Sequence, residues 1–267
     1  MANLITLMTD YGTRDSFVAS VKGVILKTNP QAAIIDITHE IAPQDIWEAA
    51  FTLRETYAQF PKGTIHLAVV DPGVGSGRKP IIVVTESYYF VGPDNGLFSL
   101  IYRDAERLRV HHITASHYFI ANPGPTFHGR DVFAPVAASL AKGIPSGSFG
   151  DEITDFVKLN VPAVKRTDST LEGHIVHIDR YGNLITNIMH KDMITLAPEG
   201  KPGASIISIG GKEIKGLKKY YAEAAPGEPG AIINSNGHLE IFLFRQNART
   251  TLSLKRGEVV RLTVNPA

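Results

Sequence analysis

An apolar, β-branched run ends on a carboxylate in Thr64–Arg78, TIHLAVVDPGVGSGR, and a glycine-rich turn then delivers an arginine. Open α/β sheets bind ligands at the carboxyl ends of their strands, so Asp71 at such an end, with Arg78 beside it, points to chemistry. Gly73, Gly75 and Gly77 would also suit a phosphate-cradling loop. Such a loop must open into a helix whose N-terminus meets the phosphate, whereas the following Lys79-PIIVVT reads as a strand. The segment is therefore read as a wide β-turn. The plainer alternative for its two charges is a structural ion pair.

Other constellations follow the same logic. In TDYGTRDS, Asp10 ends the first strand, where its two oxygens could accept both hydroxyls of a ribose. Asp15 or Ser16 in that segment is read as a helix N-cap. In PTFHGRD, His128 is a candidate general base, since the unperturbed histidine pKa of about 6.5 suits proton transfer near neutrality, the alternative being a surface or capping histidine. Asp131 is expected to cap the helix that follows. Gly92-Pro-Asp94-Asn95-Gly96 reads first as a polar turn. Asp179-Arg-Tyr181-Gly-Asn183 and Ile233-Asn-Ser235-Asn-Gly-His read, in isolation, as hairpin turns carrying acceptors. His111 and His112 are adjacent and cannot face one metal from a strand. No metal is expected.

The elements that must position these groups alternate in the first half. Strands are expected at Leu4–Met8, Ala33–Ile37 and Thr64–Val70, with Ile81–Val84 and Tyr88–Val91 forming a hairpin or sheet edge. Helices are expected over Asp15–Lys27, from an Asp45 cap to Phe60, from Phe98 to about Ala105, and over Val132–Ala141. This alternation implies an α/β fold, a mostly parallel sheet flanked by helices. Beyond a proline-bearing connector the segments are short and β-rich, separated by Tyr181-Gly-Asn, Gly210-Gly, Pro226-Gly and Asn236-Gly. They predict a smaller all-β, barrel-like domain. The boundary is placed so that residues 1–155 form the N-terminal domain and 156–267 the C-terminal one.

Composition bounds the function. The 267 residues are 43% hydrophobic and 20% charged, ordinary values for a globular chain. A formal net charge of +1 gives no electrostatic case for a nucleic-acid or membrane partner. With no cysteine, a thiolate nucleophile, a disulfide frame and a Cys-ligated zinc are excluded. The start, MANLITLMTDYG, lacks the basic flank and apolar core of a signal peptide, and no apolar run nears the ~20 residues of a membrane span. A cytoplasmic location is expected.

Taken in order, TDYGTRDSFVASVKG, IIDITHEIAPQDI, VVDPGVGSGR, VGPDNGL, PTFHGRD, IDRYGNLITNI and INSNGHLEI resemble the S-adenosylmethionine hydroxide adenosyltransferase family, relatives of the fluorinases and chlorinases. The resemblance covers nearly the whole chain. It implies a homotrimer with S-adenosylmethionine, a substrate and not a cofactor, between the N-terminal domain of one subunit and the C-terminal domain of a neighbour. No further cofactor is implied. The family's water-handling trio falls on Asp71, Arg78 and His128, and its ribose-binding acid on Asp10. Its adenine-binding asparagine falls on Asn183, its ammonium-binding acid on Asp179, and a serine near the methionine carboxylate on Ser235. Tyr220 or Tyr221 would stack on adenine, and Asp94, Asn95, Phe127, Tyr181 and Ala248 complete the implied contacts. An arginine that the halogenating relatives carry beside the serine is Asn236 here.

The implied reaction is hydrolysis to adenosine and L-methionine by in-line attack of water on ribose C5′. Methionine leaves as a neutral thioether, so no general acid is required. A halogenase is the nearest alternative. An ionised Asp71 argues against it, since a carboxylate about 4 Å from a halide is repelled by roughly 4 kcal/mol at an effective dielectric near 20. A non-catalytic nucleoside or S-adenosylmethionine sensor is the other alternative; it would not need Asp71, Arg78 and His128 together.

Overall fold

The computed structural model describes residues 3–196 and 205–264. The chain divides into two compact units, Met1–Leu159 and Asn160–Ala267. In the first, β1 (Leu4–Thr9), α1 (Phe17–Thr28), β2 (Ala33–Thr38), α2 (Ile46–Thr56), β3 (Ile65–Val69), β4 (Pro80–Val84), β5 (Tyr89–Pro93), α3 (Ser99–Asp104), β6 (Arg109–His112) and α4 (Ala134–Ala141) follow in turn. The sheet order is β2-β1-β3-β5-β4-β6. The β1/β2, β1/β3 and β3/β5 pairs are parallel. The hairpin of β4 and β5 reverses direction, so β4 pairs antiparallel with both neighbours and lies inside the sheet rather than at its edge.

Period-two alternation explains why both faces are covered. Ile5, Leu7, Ile65 and Leu67 point to one layer, against Val21 and Ile25 of α1 and Val136 and Leu140 of α4. Met8, Ala68, Ile81 and Phe90 point to the other, against Ala49 and Leu53 of α2 and Ile101 of α3. Asp45 does cap α2, accepting from the Glu48 N–H at 2.9 Å. Two other capping expectations are corrected. Ser16 occupies the position before α1 but makes no side-chain capping bond. Asp131 lies inside a π-helical turn, Gly129–Phe133, that precedes α4. It accepts instead from the Gly124 N–H at 2.8 Å and pairs with Arg130, so a fully buried carboxylate fastens the preceding loop.

Strand order also decides where a ligand can sit. The chain leaves β1 for β2 on one side and returns to β3 on the other, which makes the carboxyl ends of β1 and β3 the switch point of the sheet. Thr9 pairs with Val69 across it, so Asp10 and Asp71 emerge at neighbouring strand ends.

The second unit holds β7 (Lys165–Arg166), β8 (Thr170–Ile178), β9 (Leu184–Met189), α5 (His190–Leu196), β10 (Ser205–Ile209), β11 (Lys212–Lys215), β12 (Pro229–Ile233), β13 (His238–Leu243), α6 (Ala248–Leu252) and β14 (Val259–Val264). Strands run in the order β11-β10-β14-β8-β9-β13-β12, all neighbours antiparallel, with β7 paired to β8. The Lys218 N–H bonds the Ala231 carbonyl at 2.7 Å, which nearly closes the sheet into a barrel around Leu171, Leu184, Ile207, Leu239, Ile241 and Leu262. The unit is not purely β, because α5 and α6 add two short helices. Among the described residues no helix is long and apolar enough to cross a membrane.

Candidate functional site

The turn after β3 folds back on itself. The Val74 N–H bonds the Asp71 carbonyl at 3.2 Å, and the Ser76 hydroxyl donates to the Gly73 carbonyl at 2.6 Å. This returns Arg78 to Asp71. Arg78 Nε donates to Oδ1 at 3.1 Å, and Nη2 makes a second, short bond to Oδ2, a bidentate pair. Gly75 has φ of +77° and packs directly on the Pro125 carbonyl, so the turn lies against the loop that leads to His128. Arg78 Nη2 reaches His128 Nδ1 at 3.2 Å. Asp71, Arg78 and His128, fifty-seven positions apart at the extremes by the difference of 128 and 71, therefore form one cluster.

The Asp71 and Arg78 side chains are 5% and 7% exposed, so the pair is desolvated. Arg78 also stacks over Phe133, 5.2 Å from the ring centroid. Its Nη1 is buried with no hydrogen-bond partner among the described residues. A buried guanidinium N–H without an acceptor is a donor still to be satisfied, and a small oxygen ligand would satisfy it. Burial pushes the Asp71 carboxyl above its ordinary value, and the Arg78 guanidinium opposes the shift. Burial, then Arg78, lowers His128. Neutral His128 accepts from Arg78 at Nδ1, which places its own proton on Nε2. The cluster thus offers a carboxylate made more basic by burial, beside a fixed cation.

A pH dependence follows if the working form is ionised Asp71 with neutral His128. Acid should inactivate below the ordinary histidine value of 6.5 and above the ordinary carboxylate value of 3.8. Initial rates across that range, with brief exposure to acid, measure it. A half-maximal rate at or above 6.5 would overturn this assignment of protonation states.

Around the cluster the structure adds a residue that sequence reading missed. Tyr11 follows Asp10, and its hydroxyl lies directly against Gly129, where any β-carbon would displace it. Burial, Asp10 and Asp71 all raise its phenol, which stays protonated. Its ring meets Phe17 and Phe127 edge to face at 5.9 and 5.8 Å. Phe127 is thereby part of an aromatic wall next to His128. The only hint in the sequence was the aromatic beside Asp10. Asp10 itself accepts from the Gln44 N–H at 2.9 Å through Oδ2. Its loop is braced by His39, whose Nδ1 bonds Thr9 Oγ1 at 2.9 Å and whose carbonyl accepts from Gly12 at 2.8 Å. Asp94 and Asn95 make internal bonds at the end of β5. Asp94 accepts from the Val157 N–H at 2.8 Å, and Asn95 donates to the Val70 carbonyl at 2.8 Å.

The C-terminal unit contains a separate cavity of about 600 Å³, lined by Asp179, Tyr181, Asn183, Tyr221, Phe242 and Asn247 among others. Asp179 Oδ1 accepts from the backbone of Tyr181 at 2.9 Å and of Asn183 at 2.8 Å, and Oδ2 accepts from Asn183 Nδ2 at 2.9 Å. That last bond commits the amide nitrogen and turns Asn183 Oδ1 into an acceptor for a ligand N–H. Gly182, at φ of +85°, sits against the Asn247 side chain, and no larger residue fits there. Tyr221 lines this cavity and Tyr220 does not. Ser235 is exposed at the β12–β13 turn, outside the lining, and Ala248 is fully buried at the start of α6. Phe242 and Asn247 were not anticipated, because nothing local marks a barrel strand or a helix cap as a cavity wall.

Comparison with known proteins places the chain in a family. A model described as the SAM hydroxide adenosyltransferase N-terminal domain matches residues 5–150, and its C-terminal counterpart matches residues 173–261. An (R)-S-adenosyl-L-methionine hydrolase of Methanocaldococcus jannaschii is 40% identical over 94% of this chain and 92% of its own. One of Thermus thermophilus is 36% identical over 97% and 98%. A fluorinase of Actinoplanes is 27% identical over 97% of each. The crystal structure of an uncharacterized conserved protein from Thermotoga maritima superposes with a TM-score of 0.89 at 34% identity, covering 97% of this chain and 99% of that one. With both domain models matched in order and full-length relatives at this identity, the chain belongs to the SAM hydroxide adenosyltransferase family.

Proposed function

We propose that the chain is an enzyme that hydrolyses S-adenosyl-L-methionine to adenosine and L-methionine. The observation that carries this reading is the buried Asp71–Arg78–His128 cluster at the sheet's switch point, with Arg78 Nη1 unpartnered. A water there would be oriented by Arg78. Its oxygen attacks ribose C5′ in line with the C5′–S bond, and the bonding pair departs to sulfur, which becomes the neutral thioether of methionine. The water proton passes to Asp71 or His128. Arg78 does not take it, because its pKa exceeds ~12.

Asp10 would accept from the ribose hydroxyls and Asn183 Oδ1 from the adenine amine, with Tyr221 supplying a ring face. Asp94, Asn95, Tyr181, Ser235 and Ala248 belong to the proposed contact set through the family resemblance, as does Asp179 toward the ammonium. Leaving-group chemistry of this kind calls for no metal and no cofactor. We extend the reading to a homotrimer in which neighbouring subunits share each substrate, on the same resemblance, and we propose a cytoplasmic location. Hydrolases among the relatives are 32–40% identical to this chain, against 27% for a fluorinase, which also favours water over halide. Their names specify the (R) epimer, and we propose it as the substrate here.

Incubation with S-adenosyl-L-methionine in ¹⁸O-labelled water is the test. Adenosine labelled at the 5′-hydroxyl, formed equally with a metal chelator present, is the expected product. Halogenated nucleoside as the main product in chloride or fluoride would overturn the reading. Binding without adenosine would identify a sensor.

A further inference from the structure

A buried acid in the C-terminal unit has no part in the reaction as described. Glu240, on β13, is 3% exposed. Its Oε1 accepts from the Tyr221 hydroxyl at 2.8 Å, and its Oε2 accepts from Asn234 Nδ2 at 3.1 Å. Each bond leads to a different part of the binding region. Tyr221 lines the cavity and meets Phe242, another lining residue, edge to face at 4.8 Å. Asn234 builds the turn that carries Ser235: its Oδ1 accepts from the Asn236 and His238 backbones at 3.1 and 3.0 Å.

We infer that Glu240 is a positioning residue for substrate binding, its two oxygens holding the Tyr221 ring and the Ser235 turn in one fixed relation. The inference rests on reading this cavity as the nucleoside end of the substrate site. A carboxylate suits the task because it accepts from both sides and donates to neither. Burial raises its cost, and a hydrophobic residue here would pack a barrel strand more cheaply. Retaining an acid among Ile241, Leu239 and Phe242 makes sense when two polar partners must be oriented. Asn234 has no freedom to compensate, since its oxygen is already committed to the turn. Tyr221 is half exposed, so the bond to Glu240 is what selects one ring orientation from several.

Three variants test this, with S-adenosyl-L-methionine and adenosine as probes. Tyr221→Phe keeps the ring and its packing on Phe242 but removes one bond. Glu240→Gln keeps the volume but leaves one acceptor where two donors meet, so that either an N–H faces Asn234 Nδ2 or the Tyr221 hydroxyl must turn to accept. Each should weaken binding of both probes about tenfold, with kcat changed less than KM. The double variant should lose little more than either single one, because both break the same link. Additive losses in the double variant, or unchanged affinity in Tyr221→Phe, would overturn the inference. Should Glu240→Gln fail to fold, Tyr221→Phe together with Asn234→Ala still decides it: each must weaken binding while the thermal transition stays within a few degrees. Failure of the wider reading would look different, since wild-type protein would then bind neither probe.

Discussion

Asp71→Asn is expected to lower turnover by about 10²–10⁴ while leaving the affinity for S-adenosyl-L-methionine within a few-fold of wild type. Asparagine matches the shape of the acid but cannot accept the water's proton. Asn183, Asp179 and Tyr221 lie in the other unit and are untouched by the change. Stability must be read alongside activity. Arg78 remains charged, and losing its buried partner costs on the order of 3–5 kcal/mol. Turnover and equilibrium binding should therefore be measured well below the thermal transition of the variant. Full turnover in Asp71→Asn would remove the basis for water activation at this turn. Loss of binding in proportion to turnover would make the pair a scaffold for the pocket and not a participant in the reaction.

Gly75→Ala should be nearly as damaging to catalysis, for a purely steric reason. The residue has φ of +77°, and an added β-carbon would overlap the Pro125 carbonyl oxygen, which is backbone and cannot swing aside. The left-handed conformation alone costs alanine roughly 1–2 kcal/mol. The larger consequence is that the Arg78 turn must move off the His128 loop. A displacement of about 1 Å in a positioned group can cost about a hundredfold in rate, and a fall of that size in kcat is expected. Gly77→Ala is the matched control. A β-carbon at Gly77 meets nothing within 4 Å and its φ is not positive, so its rate should match wild type. Equal rates in the two variants would show that apposition of these loops does not matter.

Much of the molecule was legible before any coordinate. Alternating apolar strands and capped helices determine the α/β class, and short β-rich segments between glycine turns determine the barrel. These are local periodicities, and each residue reports its own face. The acid at a strand end followed by a turn and an arginine was legible for the same reason, and the Asp45 cap was a local signal too. What depended on tertiary structure was every statement about which distant groups meet. The β2-β1-β3 order puts Asp10 and Asp71 at neighbouring strand ends. The contact of Gly75 with Pro125 brings His128 to Arg78. Asp131 looked like a helix cap because it precedes an apolar helix. A π-helical turn draws it inside, where it fastens Gly124 instead. Tyr220 and Tyr221 were indistinguishable in sequence, since adjacent residues share composition and context. The bond to Glu240 and the packing on Phe242 turn only Tyr221 into the cavity wall. Short-range patterns encode faces and turns, whereas a site is a set of long-range coincidences that only the folded backbone brings about.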